Sequence, residues 1–192
     1  MPVHHPEHHT DDDVIAELIV DHREVDEMLT KLQGDELSPE DRQDGMEHVI
    51  AELVRHAIAE ESYLYPAIED RVPNGKVIAA KERADHQEVE ELLKQLEGED
   101  PHAPESRPLV KRLTTQLRAH IADEEDNLFP ALRAVYSEQE LKDLGDKVRI
   151  AKKAAPTRPH PSAPRGELAR KTMGPMVGLV DRTRDLLTGR NR

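Results

Sequence analysis

The chain contains two copies of one pattern, 64 residues apart. DHREVDEMLTKLQGD (21–35) overlays on DHQEVEELLKQLEGE (85–99), and HAIAEESYLYPAI (56–68) overlays on HIADEEDNLFPAL (120–132). The offset is the same for both pairs, so the repeated unit carries two segments and the stretch between them. Apolar residues recur at three- and four-residue spacing in each segment, as one face of a helix requires. A duplicated helical hairpin predicts an antiparallel up-down-up-down four-helix bundle with a pseudo-two-fold axis.

Helix limits follow from local chemistry. Thr10 and the Asp11–Asp13 run can cap a first helix, whose inner stripe is Val14, Leu18, His22, Val25, Leu29 and Leu32, with Gly34 as its end. Ser38 then Pro39 signals the second helix, with Met46, Val49, Leu53, His56, Glu60 and Leu64 on one stripe. Pro73-Asn74-Gly75 is a turn. The third helix turns His86, Val89, Leu93 and Leu96 inward. After a Pro-rich loop from Gly98 to Pro104, the fourth carries Leu109, Leu113, Leu117, His120, Glu124 and Leu128. Ser137 with Glu140 reads as a capping box for a shorter fifth helix. The expected organisation is a His-rich, disordered N-terminus (1–10), the bundle (11–152), and a basic Pro-rich linker with a short amphipathic tail (153–192). In that tail PTRPHPSAP is extended and Met176 to Leu187 is helical.

Ionisable residues interrupt the apolar stripes at equivalent places. His22 maps to His86, His56 to His120, and Glu60 to Glu124. Positions i and i+4 share a helix face, so His56 and Glu60 point one way, as do His120 and Glu124. Six such groups in a small apolar core are very costly unless compensated, and the stripes hold no Lys or Arg to pair with them. Metal ions would supply the positive charge and use the lone pairs. Four imidazoles and two carboxylates suit two ions, each taking two His and sharing two bridging Glu. Such N/O ligands favour iron over manganese and zinc. The expected cofactor is therefore two iron ions, oxo- or hydroxo-bridged. The chain has no cysteine, which excludes disulfides, thiolate zinc sites and iron–sulfur clusters.

At these residues, and at EExxLYP (60–66) and EExxLFP (124–130), the sequence resembles the hemerythrin-like, or HHE cation-binding, domains over roughly 12–150. Its PTRPHPSAP tail resembles that of actinobacterial members. The resemblance implies a non-haem di-iron site and roles in oxygen binding, iron or redox sensing, or peroxide removal. The ligand order also separates the chain from ferritin-like bundles, which use Glu-x-x-His where this chain has His-x-x-x-Glu.

One departure bears on chemistry. Oxygen-carrying hemerythrins have two His at i and i+4 on the third helix; here the residue four after His86 is Glu90, and its repeat mate is Asp26. Either carboxylate could be an added ligand or an acceptor for an imidazole N–H. A carboxylate in place of neutral His favours the ferric state and leans toward redox turnover. Tyr63, three after Glu60, is expected to face inward, where it could ligate iron, donate to bound peroxide, or pack; its mate is Asn127. Tyr63 and Glu90 are thus the candidate catalytic residues. Tyr65 and Phe129 read as paired core positions. Pro66 and Pro130 should kink or loosen their helices just past the ligands.

Charge bounds the partners. Residues 147–192 hold 12 of the 27 Lys and Arg but only 3 of the 40 Asp and Glu, so the tail is near +9 and the body near −22. An acidic body argues against nucleic acid. The tail would touch its own acidic domain or a protein partner. Aromatics are 2% of the chain, so the core must be aliphatic. No apolar run approaches the ~20 residues of a membrane span, and the N-terminus carries no secretory segment, which places the protein in the cytoplasm. His4, His5, His8 and His9 could bind metal only loosely, and His48, His102 and His160 lack partners at ligand spacing. The expected function is redox chemistry on O2 or hydrogen peroxide, catalase-like, with non-catalytic O2 or iron binding or sensing as the alternative.

Overall fold

The computed structural model describes residues 13–159; the His-rich N-terminus and the Met176–Leu187 stretch lie outside the described residues. Those residues form helices α1 (Val14–Gln33), α2 (Pro39–Ala59), α3 (Tyr65–Arg71), α4 (Gly75–Gly98), α5 (Ser106–Asp123), α6 (Phe129–Val135) and α7 (Glu138–Ala154). Two π-turns, π1 (Glu60–Leu64) and π2 (Glu124–Leu128), join α2 to α3 and α5 to α6. Four rods result: α1, α2–π1–α3, α4 and α5–π2–α6. They make the antiparallel bundle, and α7 lies across α1 and α2.

The caps are those that the sequence signals. Asp13 accepts from the Ala16 amide, Ser38 from Asp41 with Pro39 at the first helical position, and Ser137 with Glu140 closes a capping box on α7. Pro66 and Pro130 each occupy the second residue of the helix that follows a π-turn. Without an amide hydrogen they cannot close the regular ladder, and the chain accommodates them by widening one turn to an i→i+5 bond: Tyr65 N donates to Glu60 O, and Phe129 N to Glu124 O.

The apolar core is split in two. One layer holds Val25, Leu29, Leu32, Leu53, Leu93, Leu113 and Leu117; the other holds Val14, Leu18, Leu64, Ile68, Leu128 and Leu132, with Leu141, Leu144 and Val148 of α7. Along α1 the order is second layer, His22, first layer; along α5 and α6 it is first layer, His120 and Glu124, second layer. The ionisable residues therefore sit in a seam between two aliphatic blocks. Past α7, Ala155 joins the first block, Pro156–Pro159 is irregular and buried, and Arg158 pairs with Glu97 at 2.8 Å. No helix among the described residues is long and apolar enough to cross a membrane.

Between α3 and α4 the chain turns on Asn74, at φ 59°, and Gly75. A Cβ on Gly75 would lie 2.1 Å from the Ile68 carbonyl oxygen, a backbone atom that cannot step aside. Gly75→Ala is expected to lower stability by about 1–3 kcal/mol. Equal urea midpoints for variant and wild type would show that this turn is not so tightly closed.

Candidate metal centre

Helices α1, α2, α4 and α5 each deliver one imidazole to the seam, and the first residues of π1 and π2 deliver the carboxylates. Glu60 and Glu124 have no exposed surface, and His22, His56, His86 and His120 are at most 6% exposed. Each carboxylate spans two imidazoles. Glu60 Oε1 is 3.2 Å from His56 Nε2 and its Oε2 is 3.2 Å from His86 Nε2. Glu124 Oε2 is 3.3 Å from His22 Nε2 and its Oε1 is 3.6 Å from His120 Nε2. Two four-residue sets follow, His22–His56–Glu60–Glu124 and His86–His120–Glu60–Glu124, each with one donor atom per residue within 4.8 Å of the others. The two sets share both glutamates.

Several of these atoms lack a hydrogen-bond partner although buried: His22 Nε2, Glu60 Oε1 and Glu124 Oε2. Such groups cost about 1–3 kcal/mol each when left so. Their lone pairs converge with those of the other ligands, and the donor set is nitrogen and oxygen without sulfur. The residues therefore fit metal ions.

Outside the centre, every imidazole has a carboxylate behind its Nδ1. Glu125 stands 2.9 Å from His22, Asp21 3.1 Å from His56, Glu61 3.3 Å from His86, and Glu82 3.0 Å from His120. Hydrogen bonds at His22, His56 and His86 fix ring orientation and present Nε2 to the centre, whereas Glu82 faces His120 without hydrogen-bond alignment. Lys152 of α7 donates to Asp21 at 2.5 Å, which ties the fifth helix to His56.

Electrostatics in the metal-free chain point the same way. Burial alone would lower the His56 pKa, but the Glu60 charge and the Asp21 hydrogen bond outweigh it and hold it well above the ordinary imidazole value. His86, equally buried, is pushed up to about 9 by Glu60 and Glu61. Burial would raise Glu60, yet the His56 charge holds it well below the usual carboxylate range. Protonated His56 and His86 thus offset the Glu60 charge, and a bound cation would take the place of those protons.

The six residues read from the repeat converge. Three other candidates, Tyr63, Asp26 and Glu90, do not join them. Tyr63 is half-buried and lines a surface groove with Pro66, Arg71 and Tyr136. The residue that reaches the centre is Tyr65, fully buried, with its phenol oxygen 2.9 Å from His86 Nε2, 3.3 Å from Glu124 Oε1 and 3.5 Å from Glu60 Oε2. Burial and the Glu60 and Glu124 charges hold its pKa well above that of free tyrosine. The cause is π1: its wider turn defeats the 100° spacing that placed Tyr63 inward. The π-turn was foreshadowed only by Pro66. The mate of Tyr65, Phe129, stacks on His22 at 5.9 Å between ring centroids. Asp26 faces outward, where Arg118 holds it at 2.6 Å, and it belongs to neither ligand set. Glu90, also outside both sets, lines a cavity of about 30 Å³ with Leu53, Val89, Leu93 and Leu117. His56, His86 and His120 close its inner end. The helper carboxylates Asp21, Glu61, Glu82 and Glu125 went unread in the sequence; Glu61 and Glu125 are a repeat pair, which was the signal for those two.

The sequence model of the Hemerythrin HHE cation binding domain matches residues 13–132. The chain belongs to that family. It is 32% identical over 137 residues to an uncharacterized hemerythrin-like protein of Schizosaccharomyces pombe, covering 71% of this chain and 68% of that one. It is 31% identical over 134 residues to a DNA nickase of Nostoc, covering 69% of this chain but only 37% of the nickase. The crystal structure of a hemerythrin HHE cation binding domain-containing protein from Mycobacterium kansasii shares the fold, with a TM-score of 0.64. The two are 23% identical, over 74% of this chain and 86% of the other.

Tyr65→Phe removes a donor from a buried acceptor cluster. Metal-free protein with this change is expected to lose about 1–3 kcal/mol of stability, read from chemical denaturation; an unchanged midpoint would mean that the phenol makes no net bond there.

Proposed function

We propose that the chain binds two iron ions between His22, His56, His86 and His120, bridged by Glu60 and Glu124, and turns over hydrogen peroxide. One observation carries the metal reading: each of two fully buried glutamates spans two imidazoles from different helices. Family membership supports a cation at this place, and the nitrogen–oxygen donor set supports iron. When bound, a pair of iron ions would supply the two electrons that cleavage of one peroxide's O–O bond consumes and recover two from a second peroxide, released as O2.

The chain's own residues would do the rest. Asp21, Glu61 and Glu125 keep their imidazoles aimed inward. The two aliphatic blocks keep bulk water out. The cavity closed by His56, His86 and His120 has room for one or two water-sized molecules, which suits O2 or peroxide and excludes larger substrates. Tyr65 brings a phenol to the centre, and Glu90 brings a carboxylate to the cavity wall. Nucleic acid stays outside this reading because the body carries a large negative charge.

The test is anaerobic loading with Fe(II), metal analysis, and then exposure to peroxide or air. Two irons per chain and sustained oxygen release are expected, at a rate well above that of free ferric iron. One ion per chain, or zinc held in preference, would defeat the metal reading. A stable, reversible adduct in air with no turnover would make the chain a carrier. Loaded wild type should also show a visible phenolate-to-iron absorption that Tyr65→Phe loses and Tyr63→Phe keeps, if the phenol binds ferric iron directly.

A further inference from the structure

Beside the centre lies a second charged group that the two ligand sets do not use. Lys81 Nζ sits 3.2 Å from Glu82 Oε1, 2.9 Å from Asp85 Oδ2 and 2.7 Å from Asp123 Oδ2. Three carboxylates thus share one ammonium, a surplus of two negative charges when all are ionised. Asp85 and Asp123 are each about a third exposed and Lys81 is 53% exposed, so this face opens to solvent. Glu82 is the opposite, at 1% exposed. Its Oε1 faces the lysine and its Oε2 faces His120 Nδ1 at 3.0 Å. That inner contact is misaligned for a hydrogen bond, so Glu82 Oε2 and His120 Nδ1 are both buried without a partner. Glu82, Asp85 and His120 together bring three donor atoms within 4.8 Å of one another.

The repeat shows that this group belongs to one half of the molecule. The positions equivalent to Lys81, Glu82, Asp85 and Asp123 are Glu17, Leu18, Asp21 and Ala59. In the first half, then, a leucine and an alanine stand where two of the three carboxylates are. There Asp21 holds His56, and its cation, Lys152, comes from α7. A duplicated bundle needs one carboxylate behind each imidazole, and Glu82 already serves that purpose for His120. Asp85 and Asp123 are additional carboxylates, partly exposed, beside the buried Glu82 that faces His120.

We propose that Asp85, Asp123 and Glu82 form a loading site, which takes a divalent metal ion, Fe(II) above all, from solvent and passes it along His120 into the centre. It rests on the dinuclear metal reading above. Lys81 acts as a removable plug. Its ammonium satisfies the carboxylates while no ion is there, and its long exposed stem lets it swing into water when one arrives. Three carboxylates offer hard oxygen donors once the lysine has swung away, which suits a divalent ion. An acidic recess of this kind also raises the local cation concentration and the capture rate.

The test is the rate at which the full-length, metal-free chain takes up Fe(II) anaerobically, followed by chelator quench and metal analysis, alongside its final stoichiometry. Asp85→Asn/Asp123→Asn should load about tenfold or more slowly yet reach the same two ions per chain. Glu40→Gln/Asp44→Asn, which removes the same charge from the far end of α2, should load as wild type does. Lys81→Met should load faster. Wild-type rates in the Asp85/Asp123 variant, a lower final stoichiometry in it, an equal slowing by the Glu40/Asp44 variant, or no acceleration in Lys81→Met would each overturn the proposal. A wild-type chain that takes up no ions would instead defeat the dinuclear reading, and the two failures are told apart by that measurement.

Discussion

Two buried carboxylates set the terms for the rest of this fold. Glu60 and Glu124 have no exposed surface, and each lies between imidazoles from two different helices. Moving a carboxylate out of water costs several kcal/mol even after the protein relaxes, and two side by side also repel one another. The bundle answers with four imidazoles around them and four further carboxylates behind those imidazoles. The aliphatic blocks on either side then raise the stakes, because a low dielectric makes every unpaired charge in the seam more costly.

The pseudo-two-fold axis distributes this arrangement equally at the level of ligands and unequally just outside it. Glu61 and Glu125 are true mates and hold His86 and His22. The other two imidazoles face non-equivalent residues, His56 a hydrogen-bonded Asp21 and His120 the carboxylate of Glu82. Tyr65 adds a phenol on one side, where Phe129 offers only a ring on the other. Two ions bound here would not be chemically alike. One would sit beside a hydroxyl and the other against an apolar stack.

The π-turns link this asymmetry to local backbone physics. Each begins on a glutamate that spans two imidazoles and ends just before the residue that precedes proline. The missing proline amide removes the regular bond, the turn widens, and the side chains beyond it rotate by the equivalent of about one position. Both halves carry the turn. In one the rotation delivers Tyr65 to the centre, and in the other it lays Phe129 on His22.

The sequence alone determined the helices, the duplicated hairpin and the six residues that meet in the seam, because each is written in a regular pattern along the chain: 3.6-residue periodicity, caps, and a constant offset of 64. It also placed prolines where the helices loosen. Which tyrosine turns inward was decided only in three dimensions: Tyr63 and Tyr65 differ by two positions, and one widened turn exchanges their roles. Tertiary structure also turned Asp26 outward to Arg118, put Glu82 behind His120, and brought Lys152 from a helix outside the repeat to Asp21. Those contacts join residues far apart in the chain, such as 131 positions between Lys152 and Asp21. No periodic signal records them, because they depend on how the rods pack rather than on how any one of them forms.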